Sequence, residues 1–117
     1  MSQDLLAGIA LVVVVVAVSR IIRRGAGVSQ EAVRQKLAAG AVVVDVRTPE
    51  EFRGGAFPGA INVPLQQLGS RLSELPKDKP LVVYCAAGGR SASATAMLVQ
   101  AGFGDVTNGG GLSQMPR

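Results

Sequence analysis

The chain has no histidine and no tryptophan, and only one cysteine among its 117 residues. Each absence removes chemistry. Without histidine there is no Ser-His or Cys-His dyad, no side chain that titrates near neutrality unaided, and no imidazole for a metal. The single cysteine, Cys85, excludes an intramolecular disulfide and any Cys-rich metal site. Aromatic residues make up 3% of the chain and do not alternate with basic ones, so the pattern gives no support for stacking nucleobases. Setting Arg20, Arg23, Arg24 and Asp4 aside leaves 9 of the 12 basic and 7 of the 8 acidic residues, a net of +2. So mild an excess is no argument for a nucleic-acid partner.

Lysine and arginine are also missing ahead of the first apolar run. Leu5 to Val18 is apolar throughout, and Ile21 and Ile22 extend it past Ser19 and Arg20. As a helix, Leu5 to Ile22 would span about 27 Å, close to the hydrocarbon thickness of a thin bilayer. Arginines follow the run and only Asp4 precedes it, which predicts the N-terminus outside and the remainder in the cytoplasm. Residues 1–24 are therefore read as one transmembrane helix in a lipid bilayer, and 25–28 as a linker. The alternative is a signal peptide cleaved near Ala17-Val18-Ser19, leaving a secreted or periplasmic domain; the missing basic start argues against it. A buried core helix would be an all-apolar cylinder too large for so small a domain to cover.

Residues 29–117 read as one α/β domain. Ser29 caps a helix over Gln30 to Ala39 that Gly40 stops. Ala41 to Val44 is a short apolar run, mostly valine, suited to a strand covered on both faces and ending at Asp45. Thr48-Pro49-Glu50-Glu51 has a capping hydroxyl, an N1 proline and first-turn acids, which start a helix. Ala60 to Pro64 is extended, and Leu65, Leu68, Leu72 and Leu75 mark a small helix. Leu81 to Tyr84 is the central strand, Ala92 to Ala101 a helix, and Phe103 to Thr107 a last strand before a tight turn at Gly109-Gly110-Gly111. Strands alternating with helices predict a mainly parallel central sheet flanked by helices, with ligands beyond the carboxyl ends of the strands. Asp45 and Cys85 both stand at such ends.

The stretch from Leu81 to Ser91 carries the chemistry. A lone cysteine ending an apolar strand is commonly a small buried hydrophobe. Here Ala86, Ala87, Gly88 and Gly89 follow, small enough for the backbone to curl around the sulfur. A helix opening near Ser91 supplies free N–H groups and a positive dipole end, and Arg90 supplies a cation. In a chain without histidine these groups are left to activate the thiol, and the same groups would hold an oxyanion.

These residues resemble the single-domain rhodaneses, or thiosulfate sulfurtransferase-like proteins. The resemblance covers most of the chain after Gly27. It rests on Asp45-Val46-Arg47 with Pro49-Glu50-Glu51-Phe52, on Phe57 through Pro64, on Tyr84-Cys85 with Gly88, Arg90 and Ser91, and on Gly102-Phe103, Val106 and Asn108 through Leu112. It implies a sulfurtransferase in which Cys85 takes sulfane sulfur from a small anion such as thiosulfate and becomes a persulfide. Cyanide, a thiol or a protein acceptor then removes the sulfur, with neither metal nor organic cofactor. The backbone from Ala86 to Gly89 would hold the persulfide, Arg90 would face the anionic donor, and Asp45 and Ser91 would support the loop. Arg47 and Glu51 are expected to pair with each other as scaffold. Ala56 stands where the family usually has a histidine, and no basic residue follows the cysteine, which leaves donor preference open.

Two other classes compete. Related phosphatases and arsenate reductases need Cys-x5-Arg to surround a tetrahedral oxyanion, whereas Cys85 and Arg90 have four residues between them. A membrane-tethered, non-catalytic rhodanese module or a protein-to-protein sulfur carrier is the other.

Overall fold

The computed structural model describes residues 28–117. The expected membrane helix at 1–24 and the linker up to residue 27 lie outside the described residues. Among the described residues no helix is long and apolar enough to cross a membrane.

Helix α1 (Gln30–Ala38) starts where the Ser29 hydroxyl accepts the Ala32 N–H at 3.2 Å. Strand β1 (Val42–Asp45) follows, then the one-and-a-half-turn helix α2 (Pro49–Arg53). Its start is a full capping box: Thr48 Oγ1 accepts the Glu51 N–H, and Glu51 Oε1 accepts the Thr48 N–H. β2 is only Ile61–Asn62. The leucine-marked helix is in fact two pieces, α3 (Leu65–Leu68) and a 3-10 turn at Leu72–Glu74. Gly69, Ser70 and Arg71 separate them, and the Ser70 hydroxyl turns back to the Gln67 carbonyl at 2.9 Å, competing with helix propagation. β3 (Leu81–Cys85), α4 (Gly89–Gln100), β4 (Val106–Gly111) and a 3-10 turn at Leu112–Gln114 complete the domain.

The four strands form one parallel sheet in the order β2-β1-β3-β4. Side chains on β3 alternate faces, as the pleat requires. Leu81, Val83 and Cys85 join Ala94 and Leu98 of α4 in one core. Val82 and Tyr84 join Val33 of α1 and Met115 in the other. A sheet covered on both faces explains why β1 and β3 read as unbroken apolar runs. It also aims Cys85 at the face that carries α4.

The glycine run differs from expectation. Gly109 to Gly111 continue β4 instead of turning. The ladder slips between Val83, opposite Asn108, and Tyr84, opposite Gly110, leaving Gly109 as the extra residue of a bulge. A Cβ on Gly111 would sit 2.6 Å from the Ala86 carbonyl oxygen, so only glycine lets β4 run this close to the loop after Cys85.

Candidate active site

Cys85 ends the central strand and is 1% exposed. Its Sγ accepts the N–H of Gly88 at 3.0 Å and that of Ser91 at 3.3 Å. The loop closes tightly because Gly88 sits at φ 109°, a conformation that side chains disfavour. That residue caps α4, so the helix begins at Gly89, earlier than the sequence pattern suggested. The amides of the cap residue Gly88 and of Ser91 in the first turn therefore face the sulfur. Burial pushes the Cys85 thiol up, but hydrogen bonds from Ser91, Gly88 and Ala87 outweigh it, and the net shift is downward. The loop thus favours thiolate without an adjacent base. Ser91 is also the loop's brace, for its hydroxyl lies 3.0 Å from the Gly88 carbonyl and 3.3 Å from that of Gly110.

Asp45 is fully buried, and among the described residues none of its hydrogen bonds reaches the loop from Ala86 to Arg90. It accepts Arg47 Nη2 at 2.7 Å and the Tyr84 hydroxyl at 2.6 Å. Burial and then the Asp45 bond push the Tyr84 hydroxyl up to about 12, so it stays protonated and donates. The same hydroxyl accepts the Phe57 N–H at 2.9 Å, and Arg47 Nη2 donates to the Gly55 carbonyl at 2.7 Å. This network ties the loop Gly54–Gly59 to the residue preceding Cys85.

The expected Arg47–Glu51 pair does not form. Arg47 faces Asp45, two residues away on the same turn, where its own backbone N–H also binds the carboxylate at 2.9 Å. Glu51 instead receives both arms of Arg90, at 2.7 and 3.0 Å. The Arg90 bonds and then the Thr48 N–H hold the Glu51 carboxyl down at about 2. Glu51 and the Tyr84 hydroxyl thus join the site beyond the residues expected of it. The Thr48–Glu51 capping box was visible in the sequence, but nothing local says which arginine it meets.

Beside the loop lies a groove of about 750 Å³ bordered by Arg47, Phe57, Pro58, Ala86, Leu112 and Met115. Ala86 is the residue after the cysteine, so the groove borders the start of the loop, while Cys85 itself does not line it. Among the described residues no cluster of three or more metal-ligating side chains occurs.

A family model for the rhodanese-like domain matches residues 29–114. The chain belongs to the rhodanese-like domain family. A sulfurtransferase of Allochromatium vinosum is 41% identical over 83 residues, spanning 69% of this rhodanese chain and 78% of that protein. The thiosulfate sulfurtransferase PspE of Escherichia coli is 38% identical over 74 residues, 62% of this chain and 71% of its own. Among solved structures, the human single-domain sulfurtransferase TSTD1 superimposes with a TM-score of 0.63 at 31% identity, covering 69% of this chain and 85% of that one. In the Bacillus anthracis CoADR-RHD structure the match covers 84% of this rhodanese chain but 18% of the partner, with TM-score 0.68 and 32% identity. There the domain is a small part of a longer protein.

Proposed function

We propose that this rhodanese is a sulfurtransferase that carries sulfane sulfur on Cys85, from a small sulfur-containing anion such as thiosulfate to cyanide, a thiol or a protein acceptor. The observation that carries the reading is the thiol itself: one buried cysteine, its pKa drawn down by the amides of Ala87, Gly88 and Ser91. The relatives named as sulfurtransferases support it.

The Cys85 thiolate attacks the terminal sulfur of the donor, the donor's S–S bond breaks, and its electron pair leaves with the rest of the anion. The amides that face Sγ then hold the persulfide. A second nucleophile attacks the outer sulfur and restores the thiolate, which is ping-pong covalent catalysis. The backbone from Ala86 to Gly89 forms the donor site, with Arg90 at its end and Ser91 and Asp45 supporting it at one remove. A groove opening beside Ala86 gives a thiol-bearing acceptor an approach to the persulfide, which also suits protein-to-protein relay. A binding module without chemistry would have no use for amides turned onto a buried thiol.

Incubation with thiosulfate should add one sulfur to the intact mass, and Cys85→Ser should abolish the gain. Wild-type protein that takes up no sulfur overturns the reading.

For residues 1–24 the proposal is a single-pass anchor holding the domain on the cytoplasmic side. It is supported by the length of the apolar run and the arginines that follow it. The full chain should then sediment with membranes and resist carbonate extraction, and in sealed inverted vesicles its domain should be open to protease. Release by carbonate removes the anchor, and protection from protease reverses the side.

A further inference from the structure

The loop offers a donor almost no net charge. Ala86, Ala87, Gly88 and Gly89 carry none, and Arg90 is the only charged residue between Cys85 and Gln100. Both arms of its guanidinium are engaged by Glu51, with each side chain about one-third exposed. Glu51 Oε1, which takes one arm of Arg90, also accepts the Thr48 N–H at 3.1 Å, so the carboxylate is not free to swing away. Arg47, bordering the groove, is matched in the same way by Asp45. Arg90 is nonetheless near enough to feel the sulfur: after Glu51, the Cys85 thiolate is among the charges that favour its protonated form.

We propose that Glu51 determines donor specificity: by engaging Arg90 on both arms it withholds the loop's only cation from the donor, and so favours singly charged sulfane-sulfur anions over dianionic thiosulfate. This rests on the sulfurtransferase reading above. Thiosulfate and the methanethiosulfonate anion separate the two cases, since a methyl group in the second replaces one charged oxygen of the first. With either, Cys85 Sγ bonds to the terminal sulfur, the S–S bond breaks, and the electron pair leaves on sulfite or on methanesulfinate. One sulfur moves, total charge is unchanged, and no outside oxidant or reductant takes part.

Second-order constants for Cys85 persulfide formation are to be measured by mass spectrometry with each donor, on the full-length chain in nonionic detergent. Glu51→Gln keeps an oxygen to cap α2 while removing the charge. Freeing Arg90 should raise the thiosulfate-to-methanethiosulfonate ratio about five-fold, the effect of one added charge near the donor in partly screened surroundings. Arg90→Gln leaves Glu51 unmatched and should lower the ratio by a similar factor, while the double variant should return it to the wild-type value. Salt at about 0.5 M should shrink both shifts, which a purely structural effect would not do. The comparison is repeated with Arg117→Gln, because that guanidinium also borders the groove, and the same shifts are expected. If Glu51→Gln does not fold, the Arg90→Gln ratio decides alone. A ratio within about two-fold of wild type in the folded single variants overturns the proposal. Wild type that loads from neither donor overturns the sulfurtransferase reading instead.

Discussion

Gly111→Ala tests the closest approach in the site. A Cβ there lies 2.6 Å from the Ala86 carbonyl oxygen and 3.3 Å from the Ala87 Cα. Ordinary contact begins at 3.4 Å, so the carbonyl has to retreat by about 0.8 Å. Neither side yields easily. Gly111 is paired with Cys85 in the sheet, its N–H donates to Gln114 Oε1 at 2.9 Å, and the atoms opposite are backbone. The strain therefore passes into the loop whose amides face the sulfur. Overpacking of this kind costs about 1–3 kcal/mol, or roughly 5–20 °C in melting temperature for a domain of this size. A displacement near 1 Å at the reacting group costs up to about 100-fold in rate. Thermal unfolding followed by circular dichroism reads the first effect, and the rate of Cys85 persulfide formation reads the second. Gly69→Ala is the control, since nothing lies within 4 Å of its Cβ and its φ is −59°. Full activity with an unchanged melt in Gly111→Ala would refute the packing of β4 against the loop.

Tyr84→Phe removes the donor to Asp45 and leaves the Phe57 N–H without its acceptor, so about 2–3 kcal/mol of stability should be lost. An unchanged denaturation midpoint would strip the hydroxyl of that role. The lowered Cys85 pKa means that more thiolate survives as pH falls, so alkylation by iodoacetamide should show a midpoint below the ~8.5 of a free thiol. Ser91→Ala should move that midpoint up, and a wild-type midpoint at or above the free value would contradict the geometry. Glu51 titrates at about 2 when folded against 4.5 ordinarily, so the unfolded chain takes up its proton first on acidification. The pair's contribution is complete above about pH 4.5 and disappears as pH falls toward 2. Glu51→Gln should flatten that part of a melting-temperature profile, and an acid slope equal to wild type would place the effect elsewhere.

The local signals in this chain were strong where the physics is local. The valine run at β1, the apolar run at β3 and the Thr48 capping box determined a covered parallel sheet and the start of α2, because each depends on residues within one turn or one strand. Cys85, four small residues and Arg90 likewise marked the loop that closes on the sulfur, because its length is a count along the chain. The glycine run misled for a comparable reason: three glycines favour a turn when judged alone, and only contact with the Ala86 carbonyl explains glycine inside a strand. Charge pairing was beyond the sequence altogether. Asp45, Arg47, Glu51 and Arg90 allow more than one neutral pairing by composition. The tertiary structure chose between them because β1 and β3 lie side by side in the sheet. That register sets Tyr84 against Asp45, completing the network that holds Arg47, and brings the first turn of α4 to the capped end of α2, where Glu51 meets Arg90.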